Sequence, residues 1–193
     1  MASEARPFIT VDQYLDIESA VDGGYRSEYE NGIVVPIGSS SDRHSAITLN
    51  LAAMFHNKLR GNRNCRAYSQ NMLVEAGSQM YYPDLFVVCG ETKLRPGRSN
   101  VIQNPLLIIE ALSPSTERRD RGIRFHNFQL IESFMEYLLV SSDTLLVEQF
   151  IRQGKTNDWQ LLSHRDPLLS VPLVSLQGIE IALPDLYERV EWD

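Results

Sequence analysis

Apolar and polar residues follow two different rhythms along this chain. Between Asp42 and Arg60, apolar side chains at Ile47, Leu51, Met54, Phe55 and Leu59 recur at helical spacing. Ser41 or Asp42 can cap the helix they predict. Thr10 followed by Gln13 is a capping box, which predicts a short helix over about Val11 to Glu18. VDGGY, residues 21–25, reads as a loop. Asn31-Gly32 between two extended stretches is a strong hairpin signal, placing a hairpin over Glu28 to Ile37. Cys65–Ser69 and Met72–Glu75 read as strands, and a GSQM turn leads into the apolar run Tyr81–Val88. A second run, Leu106–Leu112, ends at Ser113-Pro114. Short continuous runs of this kind, bounded by Pro and Gly, predict strands buried on both faces.

Between these runs, Gly90–Asn104 is the longest irregular connection and is expected to be mobile. Ser115 or Thr116 can cap a helix over roughly Glu117–Leu130, which would carry Arg124 about two turns in. EYLLVS, LLVEQFIR, WQLLSH and GIEIAL continue the strand pattern, and Pro184–Val190 predicts a short closing helix. The pattern is that of one α/β domain over residues 1–193, with a central mixed sheet flanked by helices and the hairpin packed onto or extending that sheet.

Composition narrows the picture a little. The 193 residues are 43% hydrophobic and 22% charged, which is ordinary for a globular protein. No apolar run approaches the ~20 residues needed to span a bilayer. The N-terminus has neither the long apolar core nor the basic start of a signal peptide. Cys65 and Cys89 have no metal-ligand spacing, so reduced thiols in a cytoplasmic protein are the expectation. A formal net charge of −7 disfavours a protein that coats nucleic acid non-specifically. Arg118, Arg119, Arg121 and Arg124, with Lys93, Arg95 and Arg98 before them, nevertheless promise local basic character around Glu110.

The candidate chemistry lies in the two apolar runs, each of which carries one carboxylate: Asp84 in the first and Glu110 in the second. A buried, unpaired carboxylate costs several kcal/mol, roughly, and so needs a cation, a donor set or a proton. Two together point to a divalent metal ion, Mg²⁺ or Mn²⁺, for which oxygen ligands are suited. Such an ion polarises a phosphodiester and lowers the pKa of an attacking water. The plain alternatives are that Asp84 accepts backbone donors at a strand start, that Glu28 is a solvated hairpin side chain, and that Arg124 pairs with Asp120 at i, i+4. His44 in the first turn of its helix suits capping or packing as well as a site, and Gln70 can face the same cleft. No G-x-S-x-G or triad is present.

Pro83-Asp84 followed by Glu110 resembles the PD-(D/E)XK nuclease superfamily. More closely, EYENG at 28–32, His44, YYPDLFVVC, PLLIIEALSPST and Asp120 resemble the Uma-two family of restriction-endonuclease-like proteins, which is abundant in cyanobacteria. The resemblance is strongest over residues 11–150. It implies a restriction-endonuclease-like α/β fold and a Mg²⁺-dependent DNA endonuclease, with Asp84 and Glu110 as metal carboxylates and Glu28 completing the acidic cluster. Arg124 would contact the scissile phosphate, and a homodimer would suit cleavage of both strands. DNA is preferred to RNA by the resemblance alone. The sequence departs from the pattern at Leu112, where the superfamily has lysine, and at Arg124, where the Uma-two pattern has lysine. Arginine stays protonated and cannot act as a base. A degenerate nuclease fold that binds nucleic acid or protein without cutting, or a purely structural module, are therefore the alternatives.

Overall fold

The computed structural model describes residues 8–20, 26–154 and 156–192. Helix α1 (Val11–Ala20) opens with the reciprocal capping box: Thr10 N donates to Gln13 Oε1 at 2.8 Å, and Gln13 N to Thr10 Oγ1 at 3.3 Å. The expected VDGGY loop lies outside the described residues. Strands β1 (Ser27–Glu30) and β2 (Ile33–Pro36) form the hairpin, and Asn31 and Gly32 both take left-handed φ, as a type I′ turn requires. Helix α2 (Asp42–Lys58) starts at Ser41, whose hydroxyl accepts from His44 N at 3.2 Å, and buries Ile47, Leu51 and Phe55.

Next come β3 (Cys65–Ser69), β4 (Leu73–Ala76), β5 (Gln79–Tyr81), β6 (Leu85–Cys89), β7 (Val101–Ile102) and β8 (Leu107–Leu112). The run Tyr81–Val88 is not the single strand its hydrophobicity suggests. Pro83 cannot donate to a ladder, and residues 82–84 carry the chain from one sheet to another. After β8 the expected continuous helix is three pieces: α3 (Glu117–Arg119), a π-helical turn over Asp120–Arg124, and α4 (Phe125–Phe128). Thr116 makes no side-chain cap; its hydroxyl accepts from Ser113 N instead. Strands β9 (Glu136–Ser141), β10 (Val147–Arg152) and β11 (Trp159–His164) follow, then the pair β12 (Ser170–Pro172) and β13 (Glu180–Ala182), and α5 (Leu183–Leu186).

Two larger sheets result. The mixed six-stranded sheet runs β11-β10-β9-β8-β6-β3, and a five-stranded sheet runs β2-β1-β5-β4-β7. The hairpin therefore belongs to a second sheet and does not extend the first. On one face of the large sheet, Leu85, Val87, Leu107 and Ile109 pack against Leu51 and Phe55 of α2. On the other, Phe86, Ile108, Leu112 and Tyr137 pack against Phe128 of α4 and against Val74 and Tyr81 of the second sheet. Glu110 alternates with Ile108 and Leu112, so it shares this second face.

Two further expectations are corrected. Residues 90–104 are tied down rather than free: Arg95 bonds Glu75 and Asp12, Arg98 bonds Asp16, and Leu94 bridges to Ile102. The basic residues Arg95 and Arg98 thus face α1 and do not serve the Glu110 region. Cys65 and Cys89 are opposite partners on β3 and β6, with Cα atoms 4.0 Å apart, and form a disulfide instead of two free thiols. Their separation of 24 residues concealed a pairing that only the sheet register creates. No helix is long and apolar enough to cross a membrane among the described residues.

Candidate active site

The antiparallel register of β6 and β8, with Leu85 opposite Ile109, sets Asp84 beside Glu110 where the two sheets meet. Asp84 N donates to Glu110 Oε2 at 3.2 Å, and Ala111 N donates to Asp84 Oδ2 at 2.9 Å. His44 Nε2 lies 3.2 Å from Asp84 Oδ2, and Gln70 Nε2 donates to Asp84 Oδ1 at 3.3 Å. Asp84 thus accepts a backbone donor, as its plain reading held, and also lines a cleft of about 560 Å³ shared with Glu28, Glu110, Asp120 and Arg124. The metal-ligand and backbone-acceptor readings of this residue are compatible.

Arg124 joins the carboxylates. Its Nη1 donates to Asp120 Oδ1 at 3.0 Å, while Nη2 lies 2.8 Å from Glu110 Oε1 and 3.1 Å from Glu28 Oε1. The Nη2 contacts are close enough for ion pairing but bent out of hydrogen-bond alignment, which leaves Arg124 Nε, Nη2 and Glu110 Oε1 without an aligned partner. The guanidinium also sits over the Tyr81 ring at 5.2 Å. The π turn explains how one helix delivers both groups: Asp120 and Arg124 are buried on its inner face, whereas Arg121 turns outward to Glu117 and Glu148. Leu112 is buried in the apolar cluster on the Glu110 face. A cation reaches Glu110 from the overlying helix, not from β8.

Glu28 is a buried member of the cluster, not a solvated hairpin side chain. Its Oε1 accepts from Tyr82 N at 2.9 Å, and its Oε2 from Arg119 Nη2 at 3.1 Å. Arg119, which also donates to Glu30 Oε1 at 2.8 Å, was not singled out by sequence reasoning. Its only signal was membership of a basic run, and nothing local distinguishes it from Arg118 or Arg121. Four carboxylates, Glu28, Asp84, Glu110 and Asp120, consequently surround one buried guanidinium and one half-buried one.

The electrostatics follow from burial. Desolvation pushes the Glu110 carboxyl well above the ordinary range; Arg124 opposes the shift, while Asp84, Asp120 and Glu28 reinforce it. Burial raises Asp120 in the same way, against the pull of Arg124. Burial disfavours the charged form of His44, but its hydrogen bond to Asp84 and the charges of Asp84 and Asp120 prevail and raise it. Arg124 is held protonated far above neutrality: burial opposes its charge, and Glu110, Glu28 and Asp120 outweigh that cost.

Among the described residues, no group of three or more His, Cys, Asp or Glu converges to hold a metal ion. Mg²⁺ needs fewer, since it usually takes one or two protein carboxylates and keeps its waters. The excess of carboxylates, the oxygen-only donors Asp84 and Glu110, and the unaligned buried Glu110 Oε1 fit such an ion.

A profile of the Uma2 family, described as "Putative restriction endonuclease", matches residues 11–184. The chain belongs to the Uma2 family. Among its relatives, Uncharacterized protein slr1290 of Synechocystis sp. is 29% identical over 161 residues, 82% of each chain. Uncharacterized protein sll1609 of the same organism is 30% identical over 148 residues, 76% of this chain and 82% of its own. A crystal structure of a putative nuclease belonging to DUF820 from Anabaena variabilis superposes with a TM-score of 0.76 at 20% identity. That match covers 95% of the Uma2 chain and 99% of the Anabaena protein, so the two share a fold. Family and fold are those of nuclease-like proteins, and the restriction-endonuclease-like architecture expected from the sequence is present.

Proposed function

We propose that this Uma2 protein is a Mg²⁺-dependent DNA endonuclease, with Mn²⁺ an alternative metal, hydrolysing phosphodiester bonds in the cleft between the two sheets. The observation that carries the reading is the pair Asp84 and Glu110, hydrogen-bonded through Asp84 N, in a cleft where carboxylates outnumber their cations. Asp84 and Glu110 would hold the metal, which when bound supplies an acidified water and polarises the phosphate. His44, Gln70 and the Ala111 N–H fix the Asp84 carboxylate, so its oxygens are positioned before any ion arrives. Glu28 and Asp120 hold Arg124 in the cleft wall, from which its guanidinium would present its charge to a phosphate oxygen. A fixed guanidinium there stabilises charge that develops at phosphorus. Arg124 cannot take a proton, so the attacking water must lose its proton to the solvent or to a carboxylate. A two-fold dimer would let two such sites cut both strands.

The buried Leu112 favours a second reading, a nuclease fold that binds without cutting, because no lysine reaches the metal from β8. Supercoiled plasmid incubated with Mg²⁺, with Mn²⁺ or with EDTA separates the two. Nicking that needs the ion and disappears in Asp84→Ala and Glu110→Ala supports the endonuclease. A folded wild type that leaves the plasmid intact in either metal would leave only the binding reading.

A further inference from the structure

One charge asymmetry lies outside the cleft. Residues 43–74 contain five of the 18 lysines and arginines and none of the 25 acidic residues, in a chain of net charge −7. Four of the five gather at one place. Lys58 and Arg60 stand at the end of α2, Arg63 in the following turn and Arg66 on β3, and all four are exposed. None of these four has an ion-pair partner among the described residues, whereas Arg95, Arg98 and Arg121 are each engaged by acidic neighbours. Their charge is therefore uncompensated at the surface of an acidic protein.

The surface beneath them is shaped to receive a chain. A groove of about 500 Å³ runs between α2 and β3, lined by His56, Arg60, Asn62 and Arg66 at one end and by Ser69 and Leu85 at the other. Ser69 and Leu85 adjoin Gln70 and Asp84, which line the carboxylate cleft, so the groove leads to the proposed reacting centre. Strand β3 is an outer edge of the six-stranded sheet. Gly90 N donates to Asn64 O, and that register turns the N–H groups of Arg66 and Tyr68 toward β6 and those of Ala67 and Ser69 outward. Arg60 and Arg66 in the lining, Arg63 in the turn beside it, outward amides and a hydroxyl are the donors that phosphate oxygens accept from.

We propose that the α2–β3 groove is the track that carries the DNA phosphate backbone toward Asp84 and Glu110, with Arg60, Arg63 and Arg66 as its phosphate contacts. The choice of DNA as the polyanion rests on the nuclease reading; the basic face itself does not. The test is fluorescence-anisotropy binding of a short labelled duplex to wild type, to Arg60→Gln/Arg63→Gln/Arg66→Gln, and to the single variants Arg66→Gln and Arg165→Gln. EDTA is present throughout, and salt is varied. Arg165 is exposed just beyond β11, the opposite edge of the same sheet, and serves as the control. All substituted side chains are exposed, and circular dichroism checks that the variants fold.

The triple variant should weaken binding at low salt by about tenfold or more and lower the slope of log affinity against log salt by about three. Arg66→Gln should weaken binding measurably and Arg165→Gln should not. A triple variant that binds as wild type does, or a wild type without affinity for the duplex, overturns the track. Plasmid cleavage by the same preparations separates the two ideas. Cleavage by wild type with binding unmoved by the arginines removes only the track; arginine-dependent binding without cleavage keeps the track and removes the nuclease.

Discussion

Two buried glutamates sit on neighbouring parallel strands of the large sheet and have opposite fates. Glu136, at the start of β9, is fully buried and answered by neutral donors: Ser175 Oγ and Gln149 Nε2 at 2.5 Å, Ser175 N at 2.9 Å and Val174 N at 3.2 Å. Glu110, on β8, has one backbone donor, a bent contact with Arg124, three neighbouring carboxylates and an open cleft. A buried carboxylate whose oxygens are all answered is a structural device; that of Glu136 holds Val174 and Ser175, just after β12, against the sheet. One that is short of partners and open to a cavity has capacity left for a ligand. Burial alone does not separate the two; the inventory of donors does.

Exchanging each glutamate for glutamine is the sharpest way to break this contrast. Glu110→Gln should lower plasmid cleavage by about 1000-fold, some 4 kcal/mol in barrier, and change urea stability by less than about 1 kcal/mol. Glu136→Gln should do the reverse. Its amide would turn protons toward donors and cost about 2 kcal/mol of stability, while cleavage by the folded protein is retained. Equal stability losses in the two variants would erase the distinction.

Arg124 tests the cluster from its cationic side. Arg124→Ala would leave Glu28, Glu110 and Asp120 facing one another, and urea unfolding should record a loss of about 3 kcal/mol or more. Arg124→Lys keeps the charge but cannot span three carboxylates, so a loss of about 1 kcal/mol is expected. A smaller effect comes from the metal. Saturating Mg²⁺ should raise the melting temperature of wild type by about 3 °C and leave Glu110→Gln unmoved, whereas Glu136→Gln should still respond.

The smallest effects lie in the histidines, one beside each glutamate cluster. His44 contacts Asp84, and its pKa is raised above 6.5; His164 Nε2 lies 2.9 Å from Gln149 Oε1, and burial lowers its pKa below that value. The signs therefore differ. The stability contributed by His44 is fully present below pH 6.5 and is lost as pH rises through its folded value. That of His164 is present above pH 6.5 and is lost as pH falls through its folded value. Proton NMR titration of the imidazoles checks both, and His44 titrating below His164 would contradict the assignment.

Local chemistry made a large part of the molecule legible. The Thr10–Gln13 box, the Asn31-Gly32 turn, the Ser41 cap and the spacing of Ile47, Leu51 and Phe55 all act within a few residues, so they can be read before any folding partner is known. The carboxylates Asp84 and Glu110 stood out because each interrupts an apolar run, and the burial of those runs was equally plain. What failed shares one cause: it depended on groups distant in sequence. The break of Tyr81–Val88 into strands of different sheets, the Cys65–Cys89 bond and the tethering of residues 90–104 arise from pairing across the fold.

The candidate site divides the same way. Residue types and strand burial in the sequence determined that Asp84 and Glu110 need partners, because desolvation of a carboxylate has a large cost wherever it happens. Tertiary structure alone decided which partners they receive. The β6–β8 register joined them, a π turn aimed Arg124 at Glu110, and the second sheet brought Glu28 from far along the chain. Glu136 carried the same local signature as Glu110 and was silenced by Gln149 and Ser175, donors supplied from elsewhere in the sequence. Whether a buried charge becomes structure or site depends on the geometry of its neighbours, and that geometry exists only once the chain has folded.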